Sequence, residues 1–188
     1  MIDIERLLSH HKDRYIKIED IPSLDLYMDQ VTQLFDQTYH ETKRDPEEKI
    51  LTKTMINNYA KGDQFLPVKN KKYTKEHIML IQFIYQLKGG LSLADVKQTL
   101  KPLVNVMKED DVDVESLYQT YSDLMEMQSE NFEQNIKKLH QEIDAETKED
   151  DTDHLLLILS LIHYSNMYRK LAENLIDEKL TSADGQET

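Results

Sequence analysis

Six lysines, Lys53, Lys61, Lys69, Lys71, Lys72 and Lys75, fall in one stretch of the chain together with Thr54, Asn57, Asn58 and Tyr73. Ammonium groups on flexible stems neutralise phosphates and release their counterions. A carboxamide donates and accepts at once, the pattern an adenine edge presents in a major groove. The combination is suited to holding a polyanion rather than to breaking bonds. In that chemistry the lysines supply affinity, Asn57 and Asn58 read bases, and Thr54 and Tyr73 add polar contacts.

The residue types that catalysis needs are missing or scattered. Glycines at 62, 89, 90 and 185 cannot build a Gly-x-x-x-x-Gly-Lys or Gly-x-Gly-x-x-Gly phosphate cradle. No cysteine exists, which excludes a disulfide framework, a thiolate zinc site and a cysteine nucleophile. The seven histidines form neither a His-Glu-x-x-His nor a Glu-x-x-His pattern. Asp151 and His154 share a helix face but lack further ligands nearby, so neither metal site nor cofactor nor enzyme activity is expected.

The elements that position the basic stretch are marked by local signals. Asp45-Pro46-Glu47-Glu48 has the composition of a helix start. It either runs on through Leu51 or gives way to a fresh helix capped by Thr52. Met55, Ile56 and Tyr59 form an apolar face, and Gly62-Asp63 stops the helix. Phe65 to Tyr73 is short, basic and contains Pro67, which predicts an extended loop or a minimal β-wing. Thr74 caps a helix carrying Ile78, Ile81, Phe83, Ile84 and Leu87. Gly89-Gly90 ends it, and Ser92, followed three residues later by Asp95, starts another that ends near Pro102.

This succession resembles the winged helix-turn-helix of MerR-type transcription regulators over residues 49–101. Tyr59 matches the tyrosine that ends the recognition helix, Pro67 the proline opening the wing, and Lys71 with Tyr73 the wing's basic and tyrosine pair. Over roughly its whole length, with Ile56-Asn57-Asn58-Tyr59 as the most distinctive tetrad, the chain is also similar to an uncharacterised bacterial family, domain of unknown function 1836. The MerR resemblance implies double-stranded DNA as ligand and a homodimer meeting two half-sites. Asn57 stands where those regulators usually carry arginine, which shifts phosphate neutralisation onto the lysines. Thr38 to Leu51 lengthen the connection between the first helix of the motif and the recognition helix.

The remaining sequence predicts long helices. Only 4 Gly and 4 Pro occur in 188 residues. Leu24, Tyr27, Met28, Val31, Leu34 and Phe35 recur as one helix face. From Asp113, Val114 through Ile143 form a near-heptad stripe on one long helix or two collinear ones. A last helix, expected from about His154 to Lys179, begins apolar all round and needs cover from the N-terminal helix or a second subunit. Tyrosines 118, 121, 164 and 168 could line an effector pocket.

Charge is partitioned. The whole chain carries −13, yet residues 49–101 hold ten lysines against Asp63, Glu76 and Asp95, while both flanks are acidic. Such asymmetry points to an anionic partner for one module. The longest apolar run, Leu155 to Ile162, is far short of the roughly 20 residues that span a bilayer. With no basic-apolar leader pattern at Met1 to Arg6, a cytoplasmic, non-membrane protein is expected. The expected organisation is all-α: N-terminal helices and a MerR-like winged helix-turn-helix over 1–104, an acidic helical hairpin over 105–180 for dimerisation or partners, and a disordered tail, 181–188. The alternative function is a non-catalytic protein-interaction adaptor using the acidic hairpin.

Overall fold

The computed structural model describes residues 2–10, 15–61, 65–109, 112–146 and 150–184. In chain order the elements are α1 (Ile4–His10), β1 (Leu26–Tyr27), α2 (Met28–Tyr39), α3 (Lys53–Lys61), β2 (Lys72–Tyr73), α4 (Lys75–Lys88), α5 (Leu93–Lys108), α6 (Val114–Glu146) and α7 (Asp150–Asp184). Beyond the two-residue strands, the regular structure is helical. No helix among the described residues is long and apolar enough to cross a membrane.

The chain divides into two compact units, residues 14–123 and a second made of 1–13 with 124–188. This differs from a boundary near residue 104, for a physical reason at each end. Val114 and Tyr118, at the start of α6, are buried in the core of the first unit. In the second unit Ile2 is buried with Ile143 and Leu157, and Ile4 packs against them.

The first unit is organised around α4. His77 through Gln82 and Ile84 are all buried, so this helix is covered on every side. Around it lie Val31, Phe35 and Tyr39 of α2, Ile56 and Tyr59 of α3, Val96, Leu100 and Val104 of α5, and Tyr118 of α6. Each fully buried aliphatic or aromatic side chain contributes about 1.5–3 kcal/mol. Two of the polar groups drawn into this core are bonded to backbone: the Tyr118 hydroxyl donates to the Ile16 carbonyl, and Tyr15 donates to the Ser122 carbonyl at 3.1 Å.

Helix starts follow their caps. The Met55 N–H donates to Thr52 Oγ1 at 3.1 Å, Asp95 N–H to Ser92 Oγ at 3.2 Å, and Ser116 N–H to Asp113 Oδ1 at 3.0 Å. Thr52 therefore starts a fresh helix. Asp45 to Glu48 form a turn instead of a helix: the Glu47 N–H bonds the Asp45 carboxylate at 2.9 Å and Glu48 N–H the Asp45 carbonyl at 2.9 Å. The expected stop at Gly62-Asp63 lies outside the described residues.

Three further expectations need correction. Leu24 precedes β1, outside any helix, and is 80% exposed, while Tyr27 belongs to the strand, so α2 begins only at Met28. Pro102 lies inside α5, which continues to Lys108. Helix α7 runs on to Asp184, so 181–184 are helical; 185–188 lie outside the described residues.

In the second unit, Ile143 of α6 and Leu157 of α7 are buried with Ile2, and Leu139, Leu156 and Leu161 pack around them. The last turns of α6 and the first turns of α7 thus share a small core covered by the N-terminal segment. Tyr118 and Tyr121 are packed in the first unit, whereas Tyr164 and Tyr168 are exposed on α7 of the second, so these four do not line a pocket within either unit.

Candidate nucleic-acid interface

Helix α3 is amphipathic in a way its sequence dictates. Ile56 and Tyr59 face the core, whereas Thr54, Asn57, Asn58 and Lys61 are all exposed. Their spacing of three, one and three residues puts these four side chains on one solvent face. Burial, with a smaller contribution from the Tyr85 phenol, raises the pKa of Tyr59 above the usual tyrosine value, so its ring anchors the helix as a neutral group.

The segment after α3 makes a tight hairpin. Lys72 N–H donates to the Lys69 carbonyl at 2.9 Å, and Asn70 and Lys71 between them have φ of 53° and 59°. Two successive left-handed residues are the mark of a type I′ turn, where glycine or asparagine is ordinarily preferred. Strand β2 then pairs antiparallel with β1, Leu26 opposite Tyr73 and Tyr27 opposite Lys72. The expected minimal wing is thus a two-residue strand whose partner lies before α2.

Strand alternation separates two neighbours expected to act together. Lys72 points outward, its ammonium 5.7 Å from the centre of the Tyr27 ring. Tyr73 points inward and is only 4% exposed, its ring edge-on to Phe65 and His77. Burial raises its phenol pKa. Tyr73 is therefore packed into the core beneath the hairpin rather than projecting from it.

Between α3 and the hairpin lies a cleft of about 500 Å³ lined by Tyr27, Met28, Asp29, Asn57, Ala60, Val68, Lys71 and Tyr73. It brings together Asn57 from the helix and Lys71 from the turn. Tyr27 was not legible as part of this site, because the helical periodicity of residues 24–35 absorbed it into a core face, and Asp29 carries no sequence signal that ties it to α3.

The cations differ in their engagement. Lys53 forms an ion pair with Asp29, and Lys75 one with Glu115 at 2.8 Å. Lys61, Lys69 and Lys71 are exposed, and among the described residues no carboxylate forms an ion pair with them or with Lys72. The geometry therefore offers a face of amide and hydroxyl groups on α3 bordered by unneutralised ammonium groups.

A second cavity, of about 530 Å³, is lined by Leu66, Glu76, Met107, Val112, Asp113, Val114 and Glu115. Its carboxylates are already engaged: Glu76 accepts from the Thr74 hydroxyl, Asp113 caps α6, and Glu115 pairs with Lys75. Among the described residues no group of three or more histidines and carboxylates is placed to hold a metal ion.

A family model described as domain of unknown function, DUF1836, matches residues 16–121, more than half of the chain. The chain belongs to the DUF1836 family. No curated protein and no solved structure matches it. The DUF1836 match falls within the first compact unit and contains α3, the hairpin and the cleft between them, while α7 lies outside it.

Proposed function

We propose that the DUF1836 domain of this chain binds double-stranded DNA as a transcriptional regulator of MerR-like type. In this reading α3 enters the major groove with Asn57 and Asn58 toward base edges, and the Lys69–Lys72 hairpin reaches the phosphates. The observation that carries it is the shared cleft: Asn57 and Lys71, a base-reading group and a phosphate-neutralising group, border one concavity beside exposed Lys61 and Lys69. The ten-lysine stretch within an otherwise acidic chain supports the same reading. A non-enzymatic role, action in the cytoplasm where bacterial DNA lies, and a pair of modules contributed by two copies and meeting two half-sites belong to it.

A second reading, a protein-interaction adaptor acting through acidic α6 and α7, draws support from the Lys75–Glu115 pair, which neutralises one end of the basic stretch from within the chain.

Fluorescence anisotropy with labelled duplex, titrated from low to physiological salt, separates the two. Wild type is expected to bind with a steep salt dependence, and Lys61→Glu/Lys69→Glu/Lys71→Glu to lose that binding while keeping its circular dichroism. Each lost phosphate contact should reduce the log–log salt slope by about 0.9. Absence of binding to any duplex at low salt overturns the DNA reading and leaves the adaptor.

A further inference from the structure

Helix α7 carries a second periodicity, finer than its general apolar character. Leu157, Leu161, Tyr164, Tyr168, Leu171 and Leu175 follow one another at spacings of four, three, four, three and four, the alternation of a coiled-coil seam. The first two positions are covered from within the chain: Leu157 is buried and Leu161 packs beside it, against Ile2 and Ile143. The next four are bare, each between 46% and 71% exposed. Among the described residues, that half of the seam has no partner.

The chemistry of the seam selects that partner. Along the bare half the flanking positions are Ser165, Met167, Ala172 and Asn174, none of them charged. Flanking charges ordinarily set which helices pair and which repel. Here an identical helix meets no like charge, and an acidic or basic partner finds no complement. The nearby charges sit on the outer side and pair with one another: Lys170 lies 3.4 Å and Arg169 3.9 Å from the Glu173 carboxylate. The four seam residues with Met167 each leave roughly 100 Å² or more open, so two copies would withdraw on the order of 1,000 Å², about the least area that a biological interface needs.

We infer that the seam Tyr164–Tyr168–Leu171–Leu175 of α7 is a homodimer interface, its occupant the same seam of a second copy. It gives a specific surface to the pairing that the DNA reading borrows from general practice, yet it stands apart from that reading, because it requires no nucleic acid. Leu155, Leu159 and Ile162 lie on the outer side of the helix and are not part of the seam.

The test is sedimentation of the full-length chain without DNA. Wild type should be a dimer at micromolar concentration, Leu159→Glu on the outer side should remain one, and Leu171→Glu/Leu175→Glu should dissociate at least 100-fold more readily. Should the double glutamate disturb α7 itself, Ser165→Lys/Asn174→Lys leaves the seam intact and lines its flanks with like charge. That variant should be monomeric at low salt and regain dimer at high salt, as screening removes the repulsion. A wild type that stays monomeric at 100-fold higher concentration overturns the inference, as does a dimer that both double variants leave unchanged. Loss of DNA binding by the lysine variants with the dimer intact would leave this interface standing.

Discussion

The phenol of Tyr39 and the carboxamide of Gln82 satisfy each other in the centre of the first unit. The hydroxyl donates to Gln82 Oε1 at 2.8 Å and accepts from Gln82 Nε2 at 2.6 Å, joining α2 to α4. The same Oε1 accepts the Ile16 N–H at 3.4 Å, tying the incoming chain to the pair. With Gln82 fully buried, removing one member strands the other without water. Tyr39→Phe is expected to cost about 1–3 kcal/mol in urea unfolding, whereas Tyr39→Phe combined with Gln82→Met should cost less than the two single changes added together. Additive costs would show that the two groups are not coupled.

His77 makes stability depend on pH. Its Nδ1 accepts from the Thr74 N–H at 3.1 Å, and its Nε2 lies 3.3 Å from the Leu66 carbonyl, an arrangement that fits the neutral ring protonated at Nε2. Burial lowers its pKa below the ordinary histidine value, outweighing the opposing effects of Leu66, Glu76 and Asp25. The unfolded chain therefore takes up the proton first. The contribution of His77 to stability is complete above the unfolded pKa and declines as pH falls through it toward the lower folded value. Unfolding midpoints measured from pH 7.5 to 5 should fall more steeply for wild type than for His77→Gln, which lacks the titrating ring. Parallel curves would assign the acid sensitivity elsewhere.

What the sequence disclosed divides along the range of the interactions involved. Thr74 and Ser92 were legible as helix starts because a cap is decided within a few residues, and the same local rule offered Thr52 as one of two possible starts. The exposed face of α3 was legible from helical period alone. Leu24 and Tyr27 were not, since the strand that follows the one and contains the other exists only by pairing with residues 72–73, and their spacing imitates a helix face. Tyr73 was misplaced because in a strand a single step decides which side a residue takes, and that register is set by β1. The unit boundary was hidden inside α6, whose helical pattern runs unbroken while its first turns belong to a different core from the rest.

Asp29 acts against the proposed interface. It lines the cleft and holds Lys53, the first cation of α3, in an ion pair exposed on both sides. An exposed pair contributes at most about 1 kcal/mol to the fold, so breaking it should leave stability nearly unchanged. Asp29→Asn removes a negative charge from the cleft and frees an ammonium for phosphate. Duplex affinity at low salt should rise several-fold in anisotropy titrations. Lys75→Ala, which removes a cation already paired with Glu115, should change affinity little. Equal losses from Lys75→Ala and Lys71→Ala would contradict the assignment of unpaired lysines to DNA.

Lys71 stands where the backbone would prefer glycine. At φ 59° in the second position of a tight turn its Cβ crowds the backbone, a strain on the order of 1 kcal/mol that glycine does not suffer. Asn70, with φ 53°, tolerates the left-handed region better because of its short polar side chain. Strain of this kind persists where the surrounding structure fixes the conformation, and it concentrates at functional sites. Lys71→Gly should therefore stabilise the chain by about 1 kcal/mol, as read from its thermal midpoint, because the turn geometry is kept and the strain removed. The same substitution deletes an unpaired ammonium from the cleft, so duplex affinity should fall and the salt slope should shrink by about one contact. A variant that gains stability and loses binding identifies Lys71 as retained for what it touches. One that gains stability with binding unchanged would remove the hairpin tip from the interface.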